Sequence, residues 1–291
     1  MNHPADVEIS VVVPCRNGER FLADCLESLL QQSLPGRRYE VILVDNNSTD
    51  DTLKIARSYP EVKVIQEPRR GAYAARNAGV RMARGRVLAF TDADCVVGPC
   101  WLEAISEALS EESIHLTIGP RRFSEDRGLL ATMSDYENAK VRYVFALHEP
   151  RFYYGYTNNL AVSRIAFERC GPFVELLRGA DAVFVSHLVR EFGPAAARFN
   201  PAMVIRHLEI ETWKHWPTKM WIYGQSYQSY RSLSNTIPLT FRHRLQILRL
   251  AIASGSGPWR VYAFLLMGSL NALAYRMGRF RAAWRSSGSS A

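Results

Sequence analysis

The sequence predicts an α/β fold, a mainly parallel sheet flanked by helices, and three observations carry that prediction. Four apolar strand-like runs alternate with three helix-like patterns within about the first 90 residues, the order expected of a parallel sheet with crossover helices. The runs are apolar but for Ser10 (Ile9-Ser10-Val11-Val12-Val13, Val41-Ile42-Leu43-Val44, Val87-Leu88-Ala89-Phe90), which suits strands covered on both faces. Three of them stop at polar or acidic residues: the Pro14–Glu19 loop, Asp45 and the Asp92/Asp94 pair. In such sheets ligands sit outside the carboxyl ends of the strands, so these residues are expected at one edge.

The elements follow in order. Ile9 to Pro14 is a β-branched strand that stops at a proline, followed by the polar turn Cys15-Arg16-Asn17-Gly18-Glu19. Phe21, Leu22, Cys25, Leu26, Leu29 and Leu30 recur at helical spacing up to Pro35-Gly36. Tyr39 to Asp45 is the second strand. The cluster from Asn46 to Thr52 is rich in turn and N-cap residues and opens a short helix through Tyr59. Val62 to Ile65 is a third strand, Gly71 begins a third helix that closes at Gly85, and Arg86 to Phe90 is the strand leading to Thr91-Asp92-Ala93-Asp94. Further on, helices are expected over 101–109 and 129–147. Strands are expected over 114–119, 155–162 and 203–207, with a helix opening at Asp181.

The chain of 291 residues is 47% hydrophobic and 22% charged, an ordinary folded composition with a sizeable core. Its five cysteines are scattered, without CxxC or zinc-finger spacing, which favours reduced thiols in the cytoplasm. The first ten residues carry Asp6 and Glu8 and show no secretory signal. The net charge of +8 is uneven: residues 206–291 hold twelve Lys and Arg against two Asp and Glu, so they carry +10 and the first 205 residues carry −2. A basic, aromatic-rich tail suits an anionic membrane surface or nucleic acid. No nucleic-acid-binding motif accompanies it, so the reading is peripheral association with the inner face of the cytoplasmic membrane. The uncharged run from Val261 to Tyr275 is shorter than the roughly 20 residues of a spanning helix. Residues 258–278 therefore read as an interfacial helix or a packed helix, and 286–291 as a disordered end.

Asp92 and Asp94 sit at a strand end, where residues two apart point the same way. Two such carboxylates repel unless a cation lies between them, and a divalent cation with oxygen ligands resolves this. A capped turn is the alternative. Convergence with the Pro14 loop and Asp45 favours the site.

The motifs Val-Val-Val-Pro-x-Arg-Asn-Gly, Val-Asp-Asn-Asn-Ser-Thr-Asp-Asp-Thr, Gly-x-x-x-Ala-Arg-Asn-x-Gly and Thr-Asp-Ala-Asp occur in that order. The chain resembles the family 2 inverting glycosyltransferases of the GT-A fold, well over residues 9–109 and more loosely to about residue 230. The resemblance implies a GT-A domain over 1–235, with a sugar-nucleotide half (1–110) and an acceptor half (111–235); Arg alternating with apolar residues from Phe241 on reads as a basic amphipathic helical extension over 236–291. It implies that Pro14, Arg16, Asn17, Glu19, Asp45, Asn47, Gly71 and Arg76 hold the donor, together with Asp92, Ala93 and Asp94. Arg76 reads alternatively as a solvated helix residue. Asp94, with Asp92 and His207, would ligate Mn2+ or Mg2+; His207 alternatively packs in the core or lies on the surface. The segment from Gly155 to Val162 resembles the one that lines the acceptor pocket, where Asn158 and Asn159 would read sugar hydroxyls or serve as turn residues. Asp181 would be the catalytic base, or merely an acid favoured at a helix N-terminus. Ala180 stands where the family commonly has Glu, which puts the acceptor class in doubt. Gln228-Ser229-Tyr230-Arg231 is followed by Ser232 and not Trp, unlike processive synthases, so single-sugar transfer is implied.

The expected activity is metal-dependent transfer of one sugar from a nucleoside-diphosphate sugar to a saccharide or lipid-linked acceptor hydroxyl, in cell-envelope polysaccharide or glycolipid assembly. An inactive nucleotide-sugar-binding or membrane-scaffold protein is one alternative. A sugar nucleotidyltransferase is another, though the Pro14–Glu19 loop holds a single Gly where that class needs a glycine-rich loop.

Overall fold

The computed structural model describes residues 7–123, 128–210, 215–253, 273–274 and 276–280. Its elements are β1 (Ile9–Cys15), α1 (Leu22–Leu30), β2 (Tyr39–Asp45), α2 (Thr52–Arg57), β3 (Val62–Gln66), α3 (Ala72–Met82) and β4 (Val87–Thr91). They continue with β5 (Cys95–Val97), α4 (Trp101–Ala108), β6 (Leu116–Ile118), β7 (Arg121–Arg122), α5 (Leu129–Leu147), β8 (Asn159–Ser163) and α6 (Arg164–Cys170). The last are α7 (Ala180–Phe192), β9 (Ala197–Phe199), β10 (Ile205–His207), α8 (His215–Ser234) and α9 (Phe241–Ala253).

Seven strands form one sheet in the order β3-β2-β1-β4-β8-β6-β9, and β5-β10-β7 form a small second sheet. β1, β2, β3 and β4 run parallel, as expected, and β8 is antiparallel to both its neighbours. Alternation of side chains across the pleat divides the core in two. Val11, Val13 and Leu43 point to the layer of α1 and α4, with Leu26 and Trp101. Val12, Ile42, Val44 and Phe90 point to the layer of α3, α5 and α7. Every residue of β1 and β4 is buried, which explains their largely apolar runs. Gly79 lets α3 lie directly on the sheet, because a Cβ there would come within 2.4 Å of Val12 Cγ1.

Three details differ from the sequence expectation. β8 begins only at Asn159, since residues 155–158 precede the ladder. β6 and β10 are limited to Leu116–Ile118 and Ile205–His207. The short strands β5, β7 and β9 have only two or three residues each, too few to show a periodicity. β5 and β10 matter most for the site: they pair antiparallel with His207 opposite Cys95, and the Leu208 amide donates to the Asp94 carbonyl at 2.7 Å.

The C-terminal helices α8 and α9 pack against α7 and α5. Gly179, at φ +90°, precedes α7, and a Cβ on it would strike the Tyr230 ring of α8 at 2.3 Å. α9 packs Ile247 and Ala251 against Ala139 of α5. Arg279 lies over the Tyr227 ring of α8, 4.6 Å from its centroid. No helix among the described residues is long and apolar enough to cross a membrane. The expected interfacial helix over 258–278 lies outside the described residues except for 273–274 and 276–278, and the polar end at 286–291 lies wholly outside them.

Candidate active site

Because β1, β2 and β4 are parallel neighbours, their carboxyl ends form one edge, and two loops there are stitched together. The Asn17 amide donates to Ser48 Oγ (2.9 Å), the Gly18 amide to Thr52 Oγ1 (2.8 Å), and the Thr49 amide to Asn17 Oδ1 (2.9 Å). Glu19 Oε2 accepts from the Asp51 amide at 3.1 Å. Asn17 and Asn47 both adopt positive φ, at 52° and 61°, a backbone region that Asn tolerates better than most residues. Asn17 and Glu19 thus shape the loops, while Arg16 is exposed and Pro14 buried.

Asp45 is buried at the end of β2, where Oδ1 accepts from the Ser48 amide at 3.3 Å. The next residue, Asn46, does not stand out in the sequence, yet it organises the rim. Its Nδ2 donates to the Glu67 and Arg69 carbonyls (2.8 and 2.7 Å), and its Oδ1 accepts from the Gly71 amide (2.8 Å). Asn47 Nδ2 donates to the Pro68 carbonyl at 2.9 Å. Gly71 has φ +135°, a conformation open to glycine at low cost, and starts α3.

α3 carries the link between the two halves. Arg76 is not a solvated helix residue: it is buried, and its Nη2 donates to Asp92 Oδ1 in an ion pair. Its guanidinium lies 5.4 Å from the centroid of the Tyr73 ring. The neighbouring Asn77 bonds both backbone groups of Phe173, donating to the carbonyl at 2.8 Å and accepting from the amide at 3.0 Å. This anchors the segment that leads into α7.

Asp94 lies on the other side of Asp92, with Ala93 buried between them. His207 is buried, its Nδ1 lacks a hydrogen-bond partner, and that atom lies 3.6 Å from Asp94 Oδ2. Burial pushes the Asp94 carboxyl up to about 7, reinforced by the charges of Asp92 and Glu209. Burial also pushes His207 down to about 4, aided by the Lys219 ammonium, which pairs with Glu209 at 2.7 Å. Ligating atoms of Asp94, Cys95 and His207 lie within 4.8 Å of one another. Cys95 is buried and its thiol is held well above its ordinary range by that burial, whereas Asp92 turns to Arg76. An orphaned imidazole nitrogen beside a partly solvated carboxylate fits a divalent cation.

Asp181 stands at the first turn of α7, partly buried, with Oδ1 accepting from the Ala182 amide at 2.9 Å. Burial raises its proton affinity; the Ala182 N–H, the Arg76 charge and the Tyr73 hydroxyl oppose the rise. Tyr73 and Arg76 of α3 therefore lie between Asp181 and Asp92, a relation that sequence does not reveal. Asn159, a possible reader of sugar hydroxyls by its sequence, is fully buried. It receives the Trp101 indole N–H at 2.8 Å and donates to the Met203 and Pro120 carbonyls at 2.6 and 2.9 Å. Its role is to fasten β8 to α4 and to the segments before β7 and β10.

Residues 10–181 match the family model described as Glycosyl transferase family 2. The chain belongs to glycosyl transferase family 2. Among curated relatives, this family 2 chain is 32% identical over 181 residues to Glycosyltransferase AglE of Haloferax volcanii, covering 60% of the chain and 58% of AglE. It is 32% identical over 141 residues to a poly(ribitol-phosphate) beta-glucosyltransferase of Bacillus spizizenii, covering 46% of the chain and 22% of that protein. The chain thus spans less than two thirds of either relative's length.

Two solved structures show the same GT-A fold. One is the mannosyltransferase PcManGT from Pyrobaculum calidifontis, in complex with GDP-Man and Mn2+. It has a TM-score of 0.58 and 22% identity, over 96% of this chain and 84% of that one. The other is glucosyl-3-phosphoglycerate synthase from Mycobacterium tuberculosis with Mn2+, UDP-glucose and phosphoglyceric acid. It has a TM-score of 0.58 and 20% identity, over 80% of this chain and 82% of that one.

Proposed function

We propose that this family 2 chain is a metal-dependent inverting glycosyltransferase that moves one sugar from a nucleoside-diphosphate sugar to an acceptor hydroxyl. The observation that carries the reading is the placement of Asp181. A carboxylate of raised proton affinity faces Tyr73 and Arg76, and Arg76 in turn holds Asp92 beside the Asp94–His207 pair. A base is thereby set near, but apart from, the group that would hold the diphosphate.

In this reading the loops around Asp45 and Asn17 receive the nucleoside, with carboxylate and amide oxygens accepting from base and ribose donors. Asp94 and His207 hold Mn2+ or Mg2+, which supplies positive charge against the diphosphate leaving group. Asp181 takes the proton of the acceptor hydroxyl. The freed oxygen bonds to the anomeric carbon as the bond from that carbon to the diphosphate oxygen breaks, and configuration inverts. No covalent sugar–enzyme bond is needed. Ala180, where the family commonly has Glu, is fully buried in the core, so position 180 contributes no carboxylate to the acceptor.

The test is a thermal-shift series with UDP, GDP and dTDP, each with and without Mn2+. The matching nucleotide at about 100 times its Kd should stabilise the chain by about 2.7 kcal/mol, raising Tm by roughly 5–10 °C, and only with metal. Stabilisation by none of the three, or stabilisation indifferent to Mn2+, sinks the reading.

The acceptor in this proposal is a saccharide or lipid-linked compound of the cell envelope, reached at the cytoplasmic face of the membrane. The domain division is a GT-A unit over 1–235 and a membrane-facing extension over 236–291. The support is a band of exposed apolar and basic side chains. Phe241, Leu245 and Leu250 of α9 are exposed beside Arg242 and Arg249, and Leu273, Met277 and Phe280 are exposed farther on. Residues 212–291 contain no Asp or Glu, which suits an anionic lipid surface. The chain should co-sediment with phosphatidylglycerol vesicles and far less with phosphatidylcholine vesicles. Phe241→Glu with Leu245→Glu should reduce the bound fraction several-fold, and equal binding to both lipids would refute membrane docking by charge.

A further inference from the structure

Beside the site lies a cluster of charges that the transfer step does not use. Arg121 of β7 has its side chain 12% exposed, stacked with Cζ 3.6 Å from the Tyr156 ring centroid, and its Nε is buried without a hydrogen-bond partner. Lys140 of α5 lies 4.8 Å from the centroid of Tyr154, whose hydroxyl is likewise buried and unpartnered. One carboxylate serves both cations: Glu137 is 3.4 Å from Lys140 Nζ and 3.8 Å from the Arg121 guanidinium. The backbone of Arg121 is fixed independently, its amide and carbonyl both bonded to the Asn138 side chain at 2.9 Å.

Two cations against one carboxylate leave a positive charge in a largely enclosed place. Such a surplus is costly unless a further anion completes it. An arginine whose backbone and ring contact are fixed, with donor capacity unspent, is suited to a planar or tetrahedral oxyanion.

The cluster adjoins the strand that carries His207. Arg121 pairs in register with Ile205, two residues before His207. Phe123, which Arg121 also approaches, meets the His207 ring edge-on at 6.4 Å between centroids. Gly155, between Tyr154 and Tyr156, lies against α7, the helix that Asp181 opens: a Cβ on it would come within 2.6 Å of Val185 Cγ2. Arg121 of β7 and Lys140 of α5 therefore lie beside the strand of His207 and the segment that packs on α7.

We propose that Arg121 and Lys140, with Tyr154, form a subsite for an anionic group of the acceptor, a phosphate or a carboxylate. This rests on the reading of Asp181 as the base that meets the acceptor. The subsite would make the acceptor an acidic compound and position its hydroxyl by holding its charge at a distance from Asp181.

The test titrates the full chain with glycerol 3-phosphate and with glucuronate at constant ionic strength, reading Tm with and without the nucleoside diphosphate and Mn2+. Glycerol and glucose serve as uncharged controls. One of the two anions should stabilise the chain, additively with the nucleotide. Arg121→Gln should bind it about 10- to 100-fold more weakly while keeping its nucleotide response. Glu137→Gln, which removes the competing carboxylate, should bind it more tightly. Loss of the nucleotide response in Arg121→Gln would assign the arginine to the donor diphosphate and overturn the proposal. A wild-type chain that answers the nucleotide but neither anion overturns it too, and so does a Glu137→Gln chain with unchanged or weaker anion binding. A chain that answers an anion but no nucleotide would refute the donor reading instead.

Discussion

Asp181→Asn should lower kcat by about 10²- to 10⁴-fold, the range of a lost general base, and leave the Tm gain from nucleotide and Mn2+ unchanged. The amide keeps the shape of the side chain and can still accept the Ala182 N–H bond at its oxygen, so only the proton acceptor is lost. The sign of the pH dependence follows from burial. Because burial raises the Asp181 carboxyl, the acid limb of kcat should lie above the ordinary Asp value of about 3.9, with activity falling as pH drops through it. The same shift bears on stability in the opposite sense. A folded-state pKa raised above the unfolded value means that the ionised carboxylate disfavours the fold as pH rises through that range. Asp181→Asn should therefore match or exceed the wild-type Tm at pH 7, the pattern of a residue kept for function at some expense of stability. Undiminished sugar transfer by this variant would remove Asp181 from the role of base.

Much of this was legible in the sequence because it depends on local pattern. Largely apolar runs mark β1, β2 and β4, and a run stopping at Pro14, Asp45 or Asp92 marks the edge where ligands gather. The helix expected over 129–147 is observed as α5, Leu129–Leu147. What escapes depends on contacts between distant segments. Arg76 and Asp92 are sixteen residues apart on different elements, and nothing in an Ala-Arg-Asn triplet says whether its arginine is buried. Asn46 reads as one more turn residue until its three bonds to the 67–71 segment are seen. The pairing that sets His207 opposite Cys95 depends on strands of three residues, too short to announce themselves. Tyr73 carries no motif at all, and its relevance comes only from the docking of α7 against α3.

The two acids of the Asp-x-Asp motif, alike in sequence, should separate cleanly on substitution. Asp94→Asn should abolish the metal-dependent part of the nucleotide response and lower kcat/KM by about 10³-fold or more, as expected when a cation's charge stabilisation of several kcal/mol is lost. Its fold should survive, because among the described residues its carboxylate takes only the long contact of the Cys95 thiol at 3.6 Å and the approach of His207. Asp92→Asn should behave differently. It removes the ion-pair partner of the buried Arg76 guanidinium, whose Nε has no hydrogen bond. Since Asp92 itself is a third exposed, solvent tempers the loss to about 1–3 kcal/mol of stability, read as a lower midpoint in urea. The metal response of Asp92→Asn should weaken less than that of Asp94→Asn. His207→Ala tests the same division from the other side: an imidazole ligand favours Mn2+ over Mg2+, so its loss should narrow the preference between the two ions. If Asp92→Asn and Asp94→Asn prove equal in both metal response and stability, the motif acts as one undivided ligand pair and the Arg76 link is only structural.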